Sequence, residues 1–208
     1  MALEHFAAAA ICAFAKAVTG VRAIWRDSSP SVRQRIYFAN HTSHGDFVLI
    51  WAVLPVTLRR LTRPVARADY WRRGGVRRFI AERVFRGVLI APAAGRQHAF
   101  NPLEQMNAAL AEGDSLIVFP EGTRNLGEGL LPFKSGLYHL AKAHPEVEFI
   151  PVWIENLGRV MPKGALIPIP LLCTLCFGQA LAIHADESKP DFLERARASL
   201  LALAPASE

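Results

Sequence analysis

His41 and Asp46 stand five positions apart in Asn40-His41-Thr42-Ser43-His44-Gly45-Asp46, directly after the apolar run Ile36-Tyr37-Phe38-Ala39. An apolar run that ends in histidine, serine and aspartate places titratable groups at the carboxyl end of a strand, where open α/β sheets bind their ligands. If His41 ends the strand and Asp46 lies in the first turn of a following helix, the intervening turn folds them together. The carboxylate then holds one ring nitrogen and leaves the other free to take a proton from a hydroxyl near neutral pH. Asp46 has a second reading, a charge placed near the positive end of a helix dipole. His44 competes with His41 for the base role. Ser43 offers a hydroxyl but lacks the G-x-S-x-G setting of an elbow nucleophile. His41, His44 and Asp46 make an incomplete metal set, with no HExxH elsewhere.

A second constellation, Val118-Phe119-Pro120-Glu121-Gly122-Thr123-Arg124, also follows a buried apolar run. Gly122 permits close backbone approach, Thr123 offers a hydroxyl, and Arg124 carries a fork matched to phosphate. Glu121 is placed to hold Arg124.

The elements that must position these groups alternate between strand and helix. Strands are expected over 33–40, 62–68, 87–91, 115–119 and 148–155, with one or two more within 171–183. Helices are expected over 45–54, near Tyr70, and over 75–85, 101–111, 134–143 and 190–203. This order predicts an α/β fold, a mostly parallel or mixed central sheet covered by helices. Pro151 is expected at an edge or a bulge, because proline cannot donate to a ladder. Leu126 to Leu131 reads as a loop. Cys173 and Cys176 have CxxC spacing inside an apolar run, which reads as core strand rather than redox site. With Cys12 they make three cysteines, read as reduced thiols in a cytosolic setting. The uncharged run from Ala165 to Ile183 is rejected as a membrane span because Pro168, Pro170, Gly178 and Gln179 interrupt it.

The two motifs in this order resemble the glycerolipid acyltransferase family, whose best-known members are the 1-acylglycerol-3-phosphate (lysophosphatidate) acyltransferases. Gly87-Val88-Leu89-Ile90 looks like the family's intervening strand, and Phe149-Ile150-Pro151-Val152 like its proline-containing strand. The resemblance spans Arg33 to Gly178. It implies transfer of a fatty acyl group from a thioester, acyl-CoA or acyl carrier protein, to the hydroxyl of a lyso-glycerolipid, within phospholipid biosynthesis. It implies His41 as general base, Asp46 as its orienter, and Glu121, Gly122, Thr123 and Arg124 as the acceptor's phosphate site. No cofactor and no metal are expected beyond the thioester co-substrate. One position departs from the family. Its intervening strand ends in an arginine that grips phosphate, and here Pro92 follows Ala91. Arg96 is the candidate phosphate contact in its place, with Arg67 and Arg63 as further candidates. An acyltransferase for a different lyso-lipid head group, and a thioester hydrolase in which water replaces the lipid hydroxyl, share the same motifs.

Composition bounds the rest. At 208 residues, 51% hydrophobic and 20% charged, the chain can bury a substantial core and is not a disordered polymer. Its net charge of +6 is uneven: Arg59 to Arg86 holds ten arginines against Asp69 and Glu82, a surplus of +8 that leaves −2 elsewhere. A near-neutral body with one basic segment is aimed at an anionic partner, whether anionic lipid, an acidic carrier protein, nucleotide phosphates or nucleic acid. Tyr70, Trp71, Phe79 and Phe85 interleave with these arginines. That pattern suits a membrane surface and also single-stranded nucleic acid; the motifs at strand ends favour the membrane. Leu3 to Val18 reads as an alanine-rich helix, shorter than the ~20 residues of a typical span. It either lies on a membrane or packs on the core. The expected organisation is an apolar, interfacial helix and linker over 1–32 and an acyltransferase-like domain over 33–208, at the cytoplasmic face of a membrane as a peripheral or monotopic protein.

Overall fold

A computed structural model of the chain describes residues 2–43, 45–90, 101–125, 127, 129–156 and 172–205. Among these, seven strands form one sheet: β1 (Arg22–Trp25), β2 (Arg35–Ala39), β3 (Thr62–Arg67), β4 (Val88–Ile90), β5 (Ser115–Val118), β6 (Glu148–Glu155) and β7 (Thr174–Phe177). Their spatial order is β1-β7-β6-β2-β5-β3-β4. The five strands from β6 to β4 run parallel, β7 is antiparallel to β6, and β1 runs with β7. This is the expected mixed α/β sheet. Strand β2 lies at its centre and is buried at every residue, which is why Ile36-Tyr37-Phe38-Ala39 carries no polar alternation.

Helices cover both faces. On one face lie α1 (Ala2–Thr19), α2 (Asp46–Val53), α3 (Val56–Arg60), α4 (Ala68–Trp71) and α5 (Gly75–Phe79), the last continued by a π-helical turn over Ile80–Val84. Their shared core gathers Phe47, Ile50, Trp51 and Phe85 against Tyr37, Ile150 and Phe177. On the other face lie α6 (Pro102–Ala111), α7 (Gly136–Ala143) and α8 (Lys189–Leu201). They pack Leu110, Leu140, Phe192, Ala196 and Leu200 onto Phe38, Leu116 and Phe149. The four-residue spacing of Phe192, Ala196 and Leu200 is the apolar stripe of α8. Asn101 caps α6 by accepting from the Leu103 N–H, with Pro102 at the first helical position.

Strand β1 was not legible as a strand in the sequence. It has four residues, alternately exposed and half-buried, and its ladder runs only to β7. Pro151 sits in an interior strand, at a bulge. The ladder pairs Val152 with Phe177, while Phe149 bridges Leu181, so β6 spends three steps where the facing chain spends four. The Pro151 carbonyl still accepts from the Gly178 N–H at 2.9 Å. The missing proline N–H faces the extra residue, where no ladder bond is required. Cys176 is buried within β7 and Cys173 is buried directly before it, as a core strand demands. Of the Ala165–Ile183 run, the described part enters the sheet.

Helix α1 does two things at once. Ala8, Ile11, Cys12, Ala15 and Val18 pack toward the core. The opposite face leaves Leu3, Phe6 and Phe14 exposed at 66%, 72% and 69%. Because the helix extends from Ala2, its 18 residues reach the lower length of a membrane span by length and composition.

Candidate active site

The site begins where β2 must stop. Asn40 completes the strand with its side chain: its amide N–H donates to the Ile154 carbonyl at 2.9 Å, and its Oδ1 accepts from the Ile154 N–H at 2.7 Å. A side-chain amide thus supplies the last rung to β6, and the backbone is released one residue before His41. The neighbouring strand then catches it. The His41 N–H donates to Glu121 Oε1 at 3.0 Å, and its carbonyl accepts from the Asn125 N–H at 2.7 Å. Strands β2 and β5 are paired, Phe38 opposite Val118. Two motifs far apart in sequence therefore leave the sheet side by side.

Asp46 opens α2, as the spacing predicts. Its Oδ2 accepts from three groups: His41 Nδ1 at 2.8 Å, the Thr42 N–H at 2.7 Å and the Ser43 N–H at 2.9 Å. A carboxylate can only accept, so in the neutral imidazole Nδ1 carries the proton and Nε2 keeps its lone pair. Asp46 is 0% exposed, whereas the His41 side chain is 19% exposed. The buried charge sits beneath a ring whose outer edge is open. Phe119 stacks on the imidazole with centroids 4.2 Å apart and planes at 21°, which fixes the ring's tilt. The Asp46 charge is also felt by the buried Cys173 thiol, pushed up to about 11 by burial and by the charges of Asp46 and Glu155.

Ser43 is buried, and its hydroxyl accepts from the Gly45 N–H at 3.3 Å, so it braces the turn rather than presenting a nucleophile. His44 lies outside the described residues.

The second motif turns sharply. The Gly122 N–H donates to the Phe119 carbonyl at 3.0 Å, with Pro120 at the position of such a turn that favours proline. Gly122 has φ +71°, a conformation that side chains other than glycine rarely adopt. Gly122 and Thr123 are exposed and Arg124 is half-buried, in the turn whose two ends, Glu121 and Asn125, bond the His41 backbone. Glu121 departs from the expectation. It is 1% exposed and does not hold Arg124. Its Oε1 takes the His41 N–H and its Oε2 takes the Leu131 N–H at 2.9 Å. Its charge faces inward because two backbone donors that the turn strands below the surface need an acceptor. Asn125 shapes the next loop, donating to the Gly129 carbonyl and accepting from the Gly127 N–H, each at 2.9 Å.

Pro92 and Arg96 lie outside the described residues. Arg63 is not at the site: it is bound to the Arg86 carbonyl, Glu112 and Asp114, and Asp114 immediately precedes β5, at the opposite end of the sheet. Arg67 is at the carboxyl end of β3, held in a two-toothed pair by Asp69. Among the described residues no three His, Cys, Asp or Glu side chains gather as a metal-binding group. Asn40, Phe119 and Asn125 were missed as site-forming residues. The Asn-x-Gly order at Asn125 carries a turn signal; nothing in the sequence marks Asn40 as a side-chain rung.

Comparison with known proteins fits this geometry. The model of the Acyltransferase family matches residues 21–155. Relatives include the 1-acyl-sn-glycerol-3-phosphate acyltransferase of Haemophilus influenzae, 32% identical over 53% of this chain and 43% of that protein. The enzyme of the same name from Escherichia coli is 32% identical over 60% of this chain and 48% of its own length. The chain thus spans about half the length of the curated relatives it matches. The crystal structure of PlsC, the 1-acyl-sn-glycerophosphate acyltransferase of Thermotoga maritima, superimposes with a TM-score of 0.75 at 23% identity, covering 99% of this chain and 83% of that one. With the family's model matched across β1 to β6 and both motif loops inside the match, this chain belongs to the Acyltransferase family.

Proposed function

We propose that this chain moves a fatty acyl group from acyl-CoA or acyl carrier protein to the free hydroxyl of lysophosphatidate, forming phosphatidate. The observation that carries this reading is the His41–Asp46 pair, with Nε2 open, joined through Glu121 and Asn125 to the Gly122-Thr123-Arg124 turn. Nε2 takes the proton from the acceptor hydroxyl as its oxygen attacks the thioester carbonyl. The tetrahedral intermediate collapses by breaking the carbon–sulfur bond, and the departing thiolate recovers the proton from Nε2. Atoms balance without a covalent acyl-enzyme, and Asp46 stabilises the imidazolium that forms between the two steps. Gly122, Thr123 and Arg124 receive the head-group phosphate, while Glu121 holds that loop and His41 in one frame.

The same reading places the protein on the cytoplasmic face of a membrane. The exposed Leu3, Phe6 and Phe14 of α1 neighbour the arginine segment, since Arg83 of the π-helical turn pairs with Glu4 of α1 at 3.0 Å. Arg72, Arg73, Arg77 and Arg78 are exposed around Val76, itself 74% exposed. An apolar ridge beside a cationic patch suits an anionic lipid surface.

The test is an acyl-transfer assay with purified protein, both donor types and lyso-acceptors of differing head group. Transfer to lysophosphatidate, lost in His41→Ala with folding intact, is expected. Undiminished transfer in His41→Ala, or thioester hydrolysis with no acylated lipid, would overturn the reading.

A further inference from the structure

The acceptor's phosphate carries up to two negative charges, and Arg124 supplies one positive charge. A second cation lies across the turn. Lys134 is bound to the Phe119–Arg124 block by its backbone, its N–H donating to the Pro120 carbonyl at 2.8 Å. Its side chain runs over Gly122: a Cβ built on Gly122 would meet Lys134 Cγ at 3.2 Å, Cε at 3.5 Å and Cδ at 3.9 Å. The ammonium is one bond beyond Cε, so it hangs at the rim of the exposed Gly122-Thr123 turn.

Cations elsewhere on the chain are already engaged. Arg63, Arg67, Arg78, Arg83 and Arg86 all have carboxylate partners within 3.1 Å. Among the described residues neither Arg124 nor Lys134 forms an ion pair. Glu121, the carboxylate of the same motif as Arg124, has turned its charge inward onto backbone amides. The exposed Gly122-Thr123 turn is thus left with two unneutralised cations, Arg124 next to it in the chain and Lys134 lying over the glycine. We propose that Lys134 is a phosphate-binding residue of this site, completing with Arg124 a two-cation grip on the head group of a phosphate-bearing acceptor. The proposal rests on the lysophosphatidate reading for its acceptor. It also explains why Gly122 is required twice over: a side chain there would be strained at φ +71° and would push the lysine stem aside.

Lys134→Met keeps the stem over Gly122 and removes the charge; Lys134→Arg restores a charge. Steady-state kinetics with lysophosphatidate and with uncharged 1-monoacylglycerol separate the roles. Lys134→Met is expected to raise KM for lysophosphatidate roughly tenfold, as loss of one charge-assisted contact implies. KM for monoacylglycerol and for the donor should stay within twofold, and Lys134→Arg should recover most of the loss. An equal penalty on both acceptors, or none on either, overturns the proposal. A second measurement needs no turnover: reductively 13C-methylated protein is titrated with sn-glycerol 3-phosphate, and the Lys134 signal is identified by its absence in Lys134→Met. Movement of that signal, even in a protein that fails to acylate lysophosphatidate, supports Lys134 and sinks only the functional reading. A signal that stays put under saturating ligand overturns Lys134 while leaving the His41–Asp46 chemistry intact.

Discussion

Replacing Glu121 by glutamine tests whether that carboxylate braces the site or touches the acceptor. In the fold it accepts two backbone N–H groups, His41 at 3.0 Å and Leu131 at 2.9 Å, with 1% exposure. Glutamine keeps one acceptor oxygen and sets an –NH2 against the other donor. One charge-assisted bond is lost and a buried N–H is stranded, a cost of about 1.5–3 kcal/mol, offset in part because a neutral amide is cheaper to bury than a charge. In a domain of this size each kcal/mol moves the melting temperature by roughly 2–4 °C, so Tm should fall by several degrees. Because one of the two bonds that Glu121 accepts anchors His41, the kinetic loss should fall on kcat and be the same for phosphate-bearing and uncharged acceptors. Displacement of a reacting group by about 1 Å costs on the order of a hundredfold. Thermal unfolding and kinetics on two acceptors read both effects. An unchanged Tm, together with a rise in KM confined to the phosphate acceptor, would show that Glu121 contacts the head group and would refute this reasoning.

Further outcomes follow from the same contacts. Asn40→Ala strands the buried N–H and carbonyl of Ile154 and should cost about 2–4 kcal/mol in denaturant unfolding; a loss below about 0.5 kcal/mol would mean that the side-chain rung is dispensable. Replacing Arg72, Arg73, Arg77 and Arg78 together should sharply weaken sedimentation with anionic vesicles, since each basic residue contributes ~1 kcal/mol at best. Two of them share Glu82, so the loss should be less than four full contributions, and binding unaffected by the change would move membrane contact to α1 alone. Cys173, raised to about 11, should stay a neutral thiol at pH 8 and resist alkylation in the folded protein, because a raised value keeps the unreactive form dominant below it. Prompt labelling of native Cys173 at pH 8 would contradict its burial near the Asp46 and Glu155 charges.

The sequence alone determined what short-range chemistry can determine. The His41–Asp46 pair closes through a five-residue turn, so its partners were visible from spacing. Strand β2 announced itself because a strand buried on both faces is an unbroken apolar run. Asn101-Pro102 and the spacing of Phe192, Ala196 and Leu200 marked helices for equally local reasons. The tertiary structure decided what depends on distant partners. Arg22–Trp25 becomes a strand only because Thr174–Phe177 lies beside it. Arg63 was a plausible phosphate ligand until Glu112 and Asp114 claimed it at the far end of the sheet. Asn40 gains its role from Ile154, more than a hundred residues away. Glu121 shows the limit most clearly. Its type and motif pointed it at a ligand, but which way a carboxylate turns depends on which N–H groups the fold strands near it. Those donors, at His41 and Leu131, come together only when β2 and β5 pair.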